Sequence, residues 1–321
     1  MATGVSDTPG WKNKLTVVSE FILMGVTDRP ELQAPLFGLF LIIYIISVIG
    51  NLGIIILTKV GSRLKTPMNY FPRYLAVSDL GYSTTVGPKM LVNFVVDQNT
   101  MSYHLCATQG AFYIIFIVSE LYILSAMSCD CYVAIYNPLL YTVIMSQRVS
   151  RVLVAIPYLY STFLSILVTI KIFTSSFCGF SVLCHFYCDC IPLLSLLCSD
   201  THELELIILV FSAFNSISSL CIVVASYLFI LIVIMRMNSA ESRQKASTCG
   251  SHLTVVIAFY GTLISTYVQP KSSHSSDTDK LASVFYTLVI PKLNPLIYSL
   301  RNKDVNYALQ RTWKKLSNIL C

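Results

Sequence analysis

The chain contains repeated apolar stretches, each long enough to cross a lipid bilayer. The hydrocarbon core of a bilayer is about 30 Å thick, so a helix needs roughly 20 mainly apolar residues to span it. Stretches of this kind lie at residues 35–58, 68–91, 105–129, 149–170, 206–234, 250–270 and 281–300. The sequence therefore predicts an all-α membrane protein, folded as a bundle of seven transmembrane helices.

Composition supports this fold class and argues against a soluble protein. Hydrophobic residues make up 55% of the chain, charged residues 12%, and the mean hydropathy is +0.68. An ordinary soluble domain has about 25% charged residues. We find no nucleophile–base set that would indicate an enzyme, no related halves typical of a transporter, and no charged pore segment typical of a channel.

The distribution of basic residues predicts the orientation, because cytoplasmic loops of membrane proteins are enriched in Lys and Arg. With the amino terminus outside, 13 basic residues fall on the inner side and 7 on the outer side. The net charge of +6 therefore reflects topology and does not indicate binding to nucleic acid.

Three segments follow from this topology. Residues 1–34 form an extracellular amino-terminal segment without a cleavable signal-peptide pattern, and residues 35–300 form the transmembrane domain. Residues 301–321 form the cytoplasmic tail, in which 301–316 are expected to make an amphipathic helix with Trp313 and Leu316 toward lipid.

Short motifs occur in a fixed order along these spans. They include residues 20–28, 67–71, 127–139, 245–253 and 291–302. In this order they resemble the olfactory receptors, a family of rhodopsin-like, G-protein-coupled receptors. The resemblance covers nearly the whole chain. It implies a multi-pass receptor in the plasma membrane of olfactory cilia, with a small odorant, a heterotrimeric G protein and membrane lipid as partners.

The resemblance also implies a set of disulfides in the outer loops. The expected pairs are Cys106–Cys188 and Cys178–Cys198. Cys184 and Cys190 remain, either as a third bridge or as free thiols. Residues 185–190 combine His, Cys and Asp and could also be interpreted as a metal cluster, although Cys188 is needed for the bridge.

Two carboxylates lie within the predicted spans, where an unpaired charge is costly. By resemblance, Asp79 and Glu120 face each other in a polar cluster with Asn51, Ser125 and Asn294, which can hold a structural sodium ion. No other cofactor is expected. The alternative is a protonated, hydrogen-bonded pair, because two neighbouring carboxylates do not readily ionise together.

The resemblance places the ligand pocket between the outer halves of the third, fifth, sixth and seventh helices. The residues expected to line it are Tyr113, Ile114, Ile117, Val118, Phe211, Ser212, Asn215, Leu263, Ile264, Tyr267, Val284 and Thr287. This lining is apolar and aromatic, with few hydrogen-bonding groups. It suits a small, neutral, volatile molecule bound by shape and one or two hydrogen bonds.

The switch region contains the main departure from the family pattern. The residues implied in switching and G-protein contact are Asp130, Cys131, Tyr132, Tyr227, Asn294, Pro295 and Tyr298. Cys131 stands where the family has an arginine that pairs with Asp130 at rest and contacts the G protein when active. A thiol offers neither a permanent charge nor five donors, so we expect Asp130 to lose its partner. The alternative function is a decayed or weakly coupling receptor.

Two further charged residues depart from the pattern. Lys292 lies about 200° around the seventh helix from Asn294, which places it away from the polar cluster. Arg73 lies near the inner end of the second helix. We expect both side chains to extend toward the headgroups.

Overall fold

The computed structural model describes residues 19–25, 30–60, 70–96, 99–177, 182–183, 185–198, 201–236, 250, 252–254, 256–257 and 259–261. Helices dominate this part of the chain. They are α1 (Pro30–Val60), α2 (Tyr70–Asn93), α3 (Tyr103–Tyr136), α4 (Tyr141–Ile144), α5 (Gln147–Thr174), α6 (Cys190–Leu194), α7 (His202–Arg236) and α8 (His252–Gly261).

Five of these helices confirm the first five predicted spans. They are α1, α2, α3, α5 and α7, and most of them extend beyond the predicted limits because polar residues continue each helix outside the apolar core. Of the five, α1, α3, α5 and α7 are long and apolar enough to cross a membrane. In α2, Asp79 and several Ser and Thr residues lower the hydropathy. The sixth span begins with α8, and the seventh lies outside the described residues.

The sequence of α1 shows how one side of a helix meets lipid and the other meets protein. Ile42, Ile49 and Ile56 recur every seven residues, and their side chains are 58%, 65% and 58% exposed. Ser47 and Asn51 on the opposite side are buried. Residues seven apart lie on the same side of an α-helix, so the three isoleucines form one apolar stripe. This stripe is the lipid-facing side of α1.

Hydrogen bonds between side chains join the helices inside the apolar bundle. Ser119 Oγ lies 2.8 Å from Ser161 Oγ between α3 and α5, and Ser78 Oγ lies 2.6 Å from the Tyr158 hydroxyl between α2 and α5. Small hydroxyl side chains allow close approach of helices and supply hydrogen bonds where water is scarce. These pairs fix the relative rotation of α2, α3 and α5.

Two glycines of α2 allow aromatic side chains to approach its backbone. A Cβ atom at Gly81 would lie 2.3 Å from the Phe116 ring of α3, and one at Gly87 would lie 2.7 Å from the Tyr44 ring of α1. Both distances are far below van der Waals contact. Any larger residue at either position must displace an aromatic ring.

A small sheet accompanies the helices, and the sequence reasoning did not predict it. Its strands are β1 (Glu20–Leu23), β2 (Asn99–Ser102) and β3 (Val182–Leu183), with β1 in the centre. β1 pairs antiparallel with β2 and parallel with β3. The motif expected to lead directly into the first helix thus forms a strand first. Phe21 and Leu23 are buried beneath the sheet, because alternate residues of β1 point into the protein.

Arg73 does not simply extend into water at the inner end of α2. Its guanidinium lies 5.1 Å from the ring centre of Tyr70 and 5.0 Å from that of Tyr74. A guanidinium over an aromatic face is attracted by the ring electrons. The two tyrosines therefore accommodate the charge that was expected only to reach the headgroups.

Candidate functional site

The outer end of α3 is joined covalently to the outer loop. Cys106 and Cys188 form a disulfide, which confirms the first predicted pair, and both residues are fully buried. Cys198 is also disulfide-bonded, but its predicted partner Cys178 lies outside the described residues. Cys190 is a free thiol, so a third bridge through it is not formed. Cys184 also lies outside the described residues.

Gln109 of α3 fixes the loop over the bundle in addition to the disulfide. Its carbonyl oxygen accepts a hydrogen bond from the backbone N–H of Cys188 at 3.0 Å. Its amide group donates to the carbonyl oxygen of Thr85 in α2 at 2.9 Å. One buried side chain therefore connects α2, α3 and the loop.

The outer loop is not a metal site in the described part of the chain. Cys188 is used in its disulfide, and no group of three His, Cys, Asp or Glu residues within the described ranges could hold an ion. The ring nitrogen Nδ1 of His185 accepts a hydrogen bond from the Phe186 N–H at 2.9 Å. Burial lowers the pKa of His185 to about 4, which keeps this nitrogen able to accept.

Several predicted pocket residues lie along the interface of α3 and α7. Val118 is buried, and Ile114, Ile117 and Phe211 are partly buried and pack against the same apolar cluster. Ser212 is also partly buried. This part of the lining is apolar, as the sequence predicts. The five residues expected from the sixth and seventh helices, which are Leu263, Ile264, Tyr267, Val284 and Thr287, lie outside the described residues.

Asn215 makes a specific contact that the sequence did not reveal. Its amide oxygen accepts a hydrogen bond from the Tyr122 hydroxyl of α3 at 2.9 Å, and its amide nitrogen donates to the Phe211 carbonyl at 2.7 Å. Asn215 is 3% exposed. The amide predicted to contact the ligand is thus committed to joining α3 and α7.

A group of tyrosines closes the outer end between α2, α3 and the loop. The ring of Tyr113 lies 5.6 Å from Tyr82 and 5.3 Å from Tyr187, measured between ring centres. Tyr82 and Tyr187 belong to one buried cluster, against which Tyr113 packs. The sequence identified only Tyr113. Tyr82 follows Asp79 by three residues on α2, and this spacing was the available signal that it also faces the bundle interior.

The two membrane carboxylates are buried in the same region, as predicted. Asp79 is 3% exposed and Glu120 is 1% exposed, and both interact electrostatically with the phenol of Tyr158. Asn51 of α1 is fully buried, and its amide oxygen has no hydrogen-bond partner among the described residues. Ser125 is buried, with its hydroxyl donating to the Leu121 carbonyl at 2.9 Å. Carboxylate and amide oxygens are the donor types that a hard cation requires.

At the inner end of α3, Asp130 has a partner that the sequence reasoning missed. The hydroxyl of Tyr141 in α4 donates a hydrogen bond to Asp130 Oδ1 at 2.9 Å. Asp130 is 3% exposed, so this donor replaces water that the carboxylate has lost. Burial and the neighbouring carboxylate raise the pKa of Tyr141. Asp130 therefore lacks the arginine, as Cys131 implies, but the following loop brings a phenol to it that the sequence did not reveal.

Cys131 packs in an apolar cluster at this inner end. It is 7% exposed and lies with Ile135 of α3 and Ile230 of α7. Tyr132 stands beside this cluster, with its ring 5.6 Å from that of Phe229. The side chain of Cys131 therefore faces apolar groups.

Tyr227 of α7 is connected to α8. Its hydroxyl lies 2.7 Å from Nδ1 of His252, and the two rings are stacked with centres 6.0 Å apart. The hydroxyl of Tyr260, two turns along α8, donates to Ser219 of α7 at 2.7 Å. These contacts join the predicted switch tyrosine to the sixth span. The remaining predicted switch residues, Asn294, Pro295 and Tyr298, lie outside the described residues.

The sequence of the chain is similar to those of known proteins over most of its length. The family model described as olfactory receptor matches residues 40–315. Human olfactory receptor 8K3 is 72% identical over 308 residues, which cover 96% of this chain and 99% of that receptor. Human olfactory receptor 8K1 is 66% identical over 299 residues, covering 93% of this chain and 94% of its own length. Mouse olfactory receptor 8U3 is 55% identical over 302 residues, covering 94% and 95%.

These matches extend through all the segments that carry the outer disulfide, the buried carboxylates and the inner tyrosine contacts. The first relative alone aligns over nearly its entire length. Proteins of this family are multi-pass receptors of the plasma membrane that sense odorants through G proteins, and they are not enzymes. The chain belongs to the olfactory receptor family.

Proposed function

We propose that this receptor binds small, neutral, volatile molecules within its helix bundle and activates a stimulatory, olfactory-type G protein that raises cyclic AMP. The observation that best supports the ligand class is the apolar interface of α3 and α7. Val118 is buried in an apolar cluster, and Ile114, Ile117 and Phe211 pack against the same cluster. No charged side chain belongs to this described part of the lining. A charged ligand would be desolvated without a partner, whereas an apolar molecule gains from burial.

Cys131 supports a second candidate, a receptor that binds odorants but couples weakly. The buried thiol packs against Ile135 and Ile230 and offers a G protein neither charge nor a strong donor. A charge-assisted hydrogen bond contributes about 1.5–3 kcal/mol. Losing one such contact lowers coupling by about one to two orders of magnitude.

A sodium ion is a further part of the proposal. Asp79 and Glu120 supply two buried carboxylates, and Asn51 supplies a buried amide oxygen that accepts no hydrogen bond from the described part of the chain. A bound cation would offset the cost of burying two negative charges and would satisfy that oxygen. Its role would be to hold α1, α2 and α3 together in the resting arrangement.

The decisive experiment compares the native chain with Cys131→Arg at equal surface density. Both are expressed in cells that supply an olfactory G protein, and cyclic AMP is measured across a panel of neutral volatiles and a matched panel of amines and carboxylic acids. We expect responses to the neutral panel alone. If only charged compounds activated the receptor, the proposed ligand class would be wrong.

The same experiment separates strong from weak coupling. Weak coupling predicts that Cys131→Arg raises the maximal response without changing the rank order of ligands. Ser128→Ala is a suitable control at the same end of α3, because among the described residues the Ser128 hydroxyl bonds within its own helix, to the Ser125 carbonyl at 2.7 Å. If the native chain signals as strongly as Cys131→Arg, the Cys131 hypothesis is contradicted and the odorant-receptor function stands.

A further inference from the structure

The hydroxyl group of Tyr82 is buried without a hydrogen-bond partner among the described residues. The residue is 4% exposed and lies on α2, where it packs with Phe186 and Tyr187 of the outer loop. A phenylalanine would fill this apolar environment equally well. A buried hydroxyl that is left unpaired lowers stability, and none of the described residues supplies an acceptor for this one.

The neighbouring hydroxyl groups are already occupied. The side chain of Tyr187 hydrogen-bonds both to Asp189 and to Tyr113. Asp189 also accepts the backbone N–H of Cys190 at 2.7 Å, and its carboxylate is an acceptor. A phenol has a single proton. Tyr187 is the donor in both contacts, because the contact with Tyr113 raises the pKa of Tyr187 and the contact with Tyr187 lowers that of Asp189, so its single proton is taken up there.

The Tyr187 hydroxyl is therefore committed, whereas the Tyr82 hydroxyl has a proton with no acceptor among the described residues. The ring of Tyr82 lies 5.6 Å from that of Tyr113, which the sequence places in the ligand pocket. Gln109 holds the loop to α2 and α3 at this level through its bonds to Cys188 and Thr85. The surroundings of the Tyr82 donor are therefore fixed before a ligand binds, which reduces the ordering cost of recognition.

We propose that Tyr82 determines ligand specificity by donating a hydrogen bond to a carbonyl oxygen of the odorant. The preferred ligands are accordingly neutral aldehydes, ketones and esters. This inference rests on the proposed binding of neutral volatiles and adds the polar group that they carry. A hydrocarbon of the same shape leaves the Tyr82 donor unpaired. An amine brings a positive charge to a group whose only free polar function is a donor.

The test uses the purified full-length receptor in lipid nanodiscs, so that the result does not depend on signalling through Cys131. The probes are volatile carbonyl compounds paired with hydrocarbons of the same skeleton, such as octanal with octane and carvone with limonene. Affinity is obtained from the concentration dependence of ligand-induced thermal stabilisation. We expect each carbonyl compound that binds to do so more tightly than its hydrocarbon partner.

The variant Tyr82→Phe removes the donor and keeps the ring. We expect it to lower carbonyl affinity by about tenfold to hundredfold, and to leave hydrocarbon affinity unchanged. The melting temperature of the unliganded variant should be unchanged or higher, because an unpaired buried hydroxyl has been removed. If the hydroxyl served only the fold, its removal would lower the melting temperature. The matched control is Tyr44→Phe on α1, whose ring lies against Gly87 of α2.

Three results would overturn the proposal. Equal affinity for carbonyl compounds and hydrocarbons, or unchanged carbonyl affinity in Tyr82→Phe, would refute the role of Tyr82 and leave odorant binding intact. A lower melting temperature of unliganded Tyr82→Phe would show that the hydroxyl serves the fold. If no member of the panel stabilised the native receptor, the binding of neutral volatiles would itself be refuted, and the specificity proposal with it.

Discussion

Tyr141 supplies Asp130 with the hydrogen-bond donor that was expected from an arginine at position 131, and Tyr141→Phe tests this pairing directly. The Tyr141 hydroxyl donates to Asp130 Oδ1 at 2.9 Å, and the carboxylate is 3% exposed. Removing the hydroxyl leaves a buried charged group short of one hydrogen bond. Hydrogen bonds to charged groups contribute about 1.5–3 kcal/mol, so we expect Tyr141→Phe to lower the free energy of unfolding of the native chain by this amount.

The stability lost in Tyr141→Phe should depend on which residue stands at position 131. In Cys131→Arg, the guanidinium stands next to Asp130 in sequence and can supply the missing donor. Tyr141→Phe should therefore cost less in that background than in the native chain. A double-mutant cycle of the two changes should give a coupling free energy of about 0.5–3 kcal/mol, as is usual for residues that share one partner.

The assay is thermal unfolding of the four purified receptors in identical lipid. Tyr136→Phe is the control, because Tyr136 is 60% exposed at the inner end of α3 and its ring stacks on Tyr132 at 5.5 Å. Burial raises the pKa of Tyr141 above its ordinary value of 10.0, so its hydroxyl stays protonated and the effect should be constant from neutral pH up to about 10. If Tyr141→Phe lowered stability equally in the native chain and in Cys131→Arg, the idea that Tyr141 donates to Asp130 in place of an arginine would be refuted.

Three further predictions concern the outer loop and the α3–α7 contact. Cys106→Ser and Cys188→Ser should each prevent surface delivery, because each removes the same disulfide, which contributes about 2–4 kcal/mol to stability. Delivery is measured by cell-surface labelling, and a double variant worse than either single one would contradict a shared bridge. The pKa of His185 is lowered to about 4, so thermal stability should fall as pH drops from about 6.5 toward 4, and an equal fall in His185→Asn would count against this. Tyr122→Phe should destabilise the receptor by about 1–3 kcal/mol, because it leaves the amide oxygen of Asn215 without its donor. Unchanged stability in thermal unfolding would contradict that pairing.

The sequence predicted the membrane helices well, because a bilayer imposes a length and an apolar composition that can be counted. The ends of the helices were less predictable. In α3 the apolar pattern suggested an end at residue 129, whereas the helix continues to Tyr136. Its last turns are amphipathic, since they leave the lipid and pack on one side only. Periodicity in a fixed hydropathy window does not detect such a continuation.

Contacts between distant segments account for most of what was missed. Tyr141 reaches Asp130 because a loop turns back beneath α3, and β1 pairs with strands that follow other helices. Neither contact leaves a local pattern in the sequence. Asn215 illustrates the limit differently: its position on an inward side of α7 was correct, but whether its amide meets a ligand or Tyr122 depends on the rotation of two packed helices.

The position of β1 in the sheet has a consequence for biosynthesis. β1 is translated before any membrane helix, yet its neighbours β2 and β3 emerge only after the second and fourth predicted spans have been made. Until then Phe21 and Leu23 have no apolar site to enter, and the strand edges are exposed in the lumen of the secretory pathway. Pairing between residues so far apart is slow compared with local helix formation. The nascent receptor should therefore depend on lumenal chaperones over a long interval, and completion of this small sheet would report that the helices of the first four predicted spans have assembled.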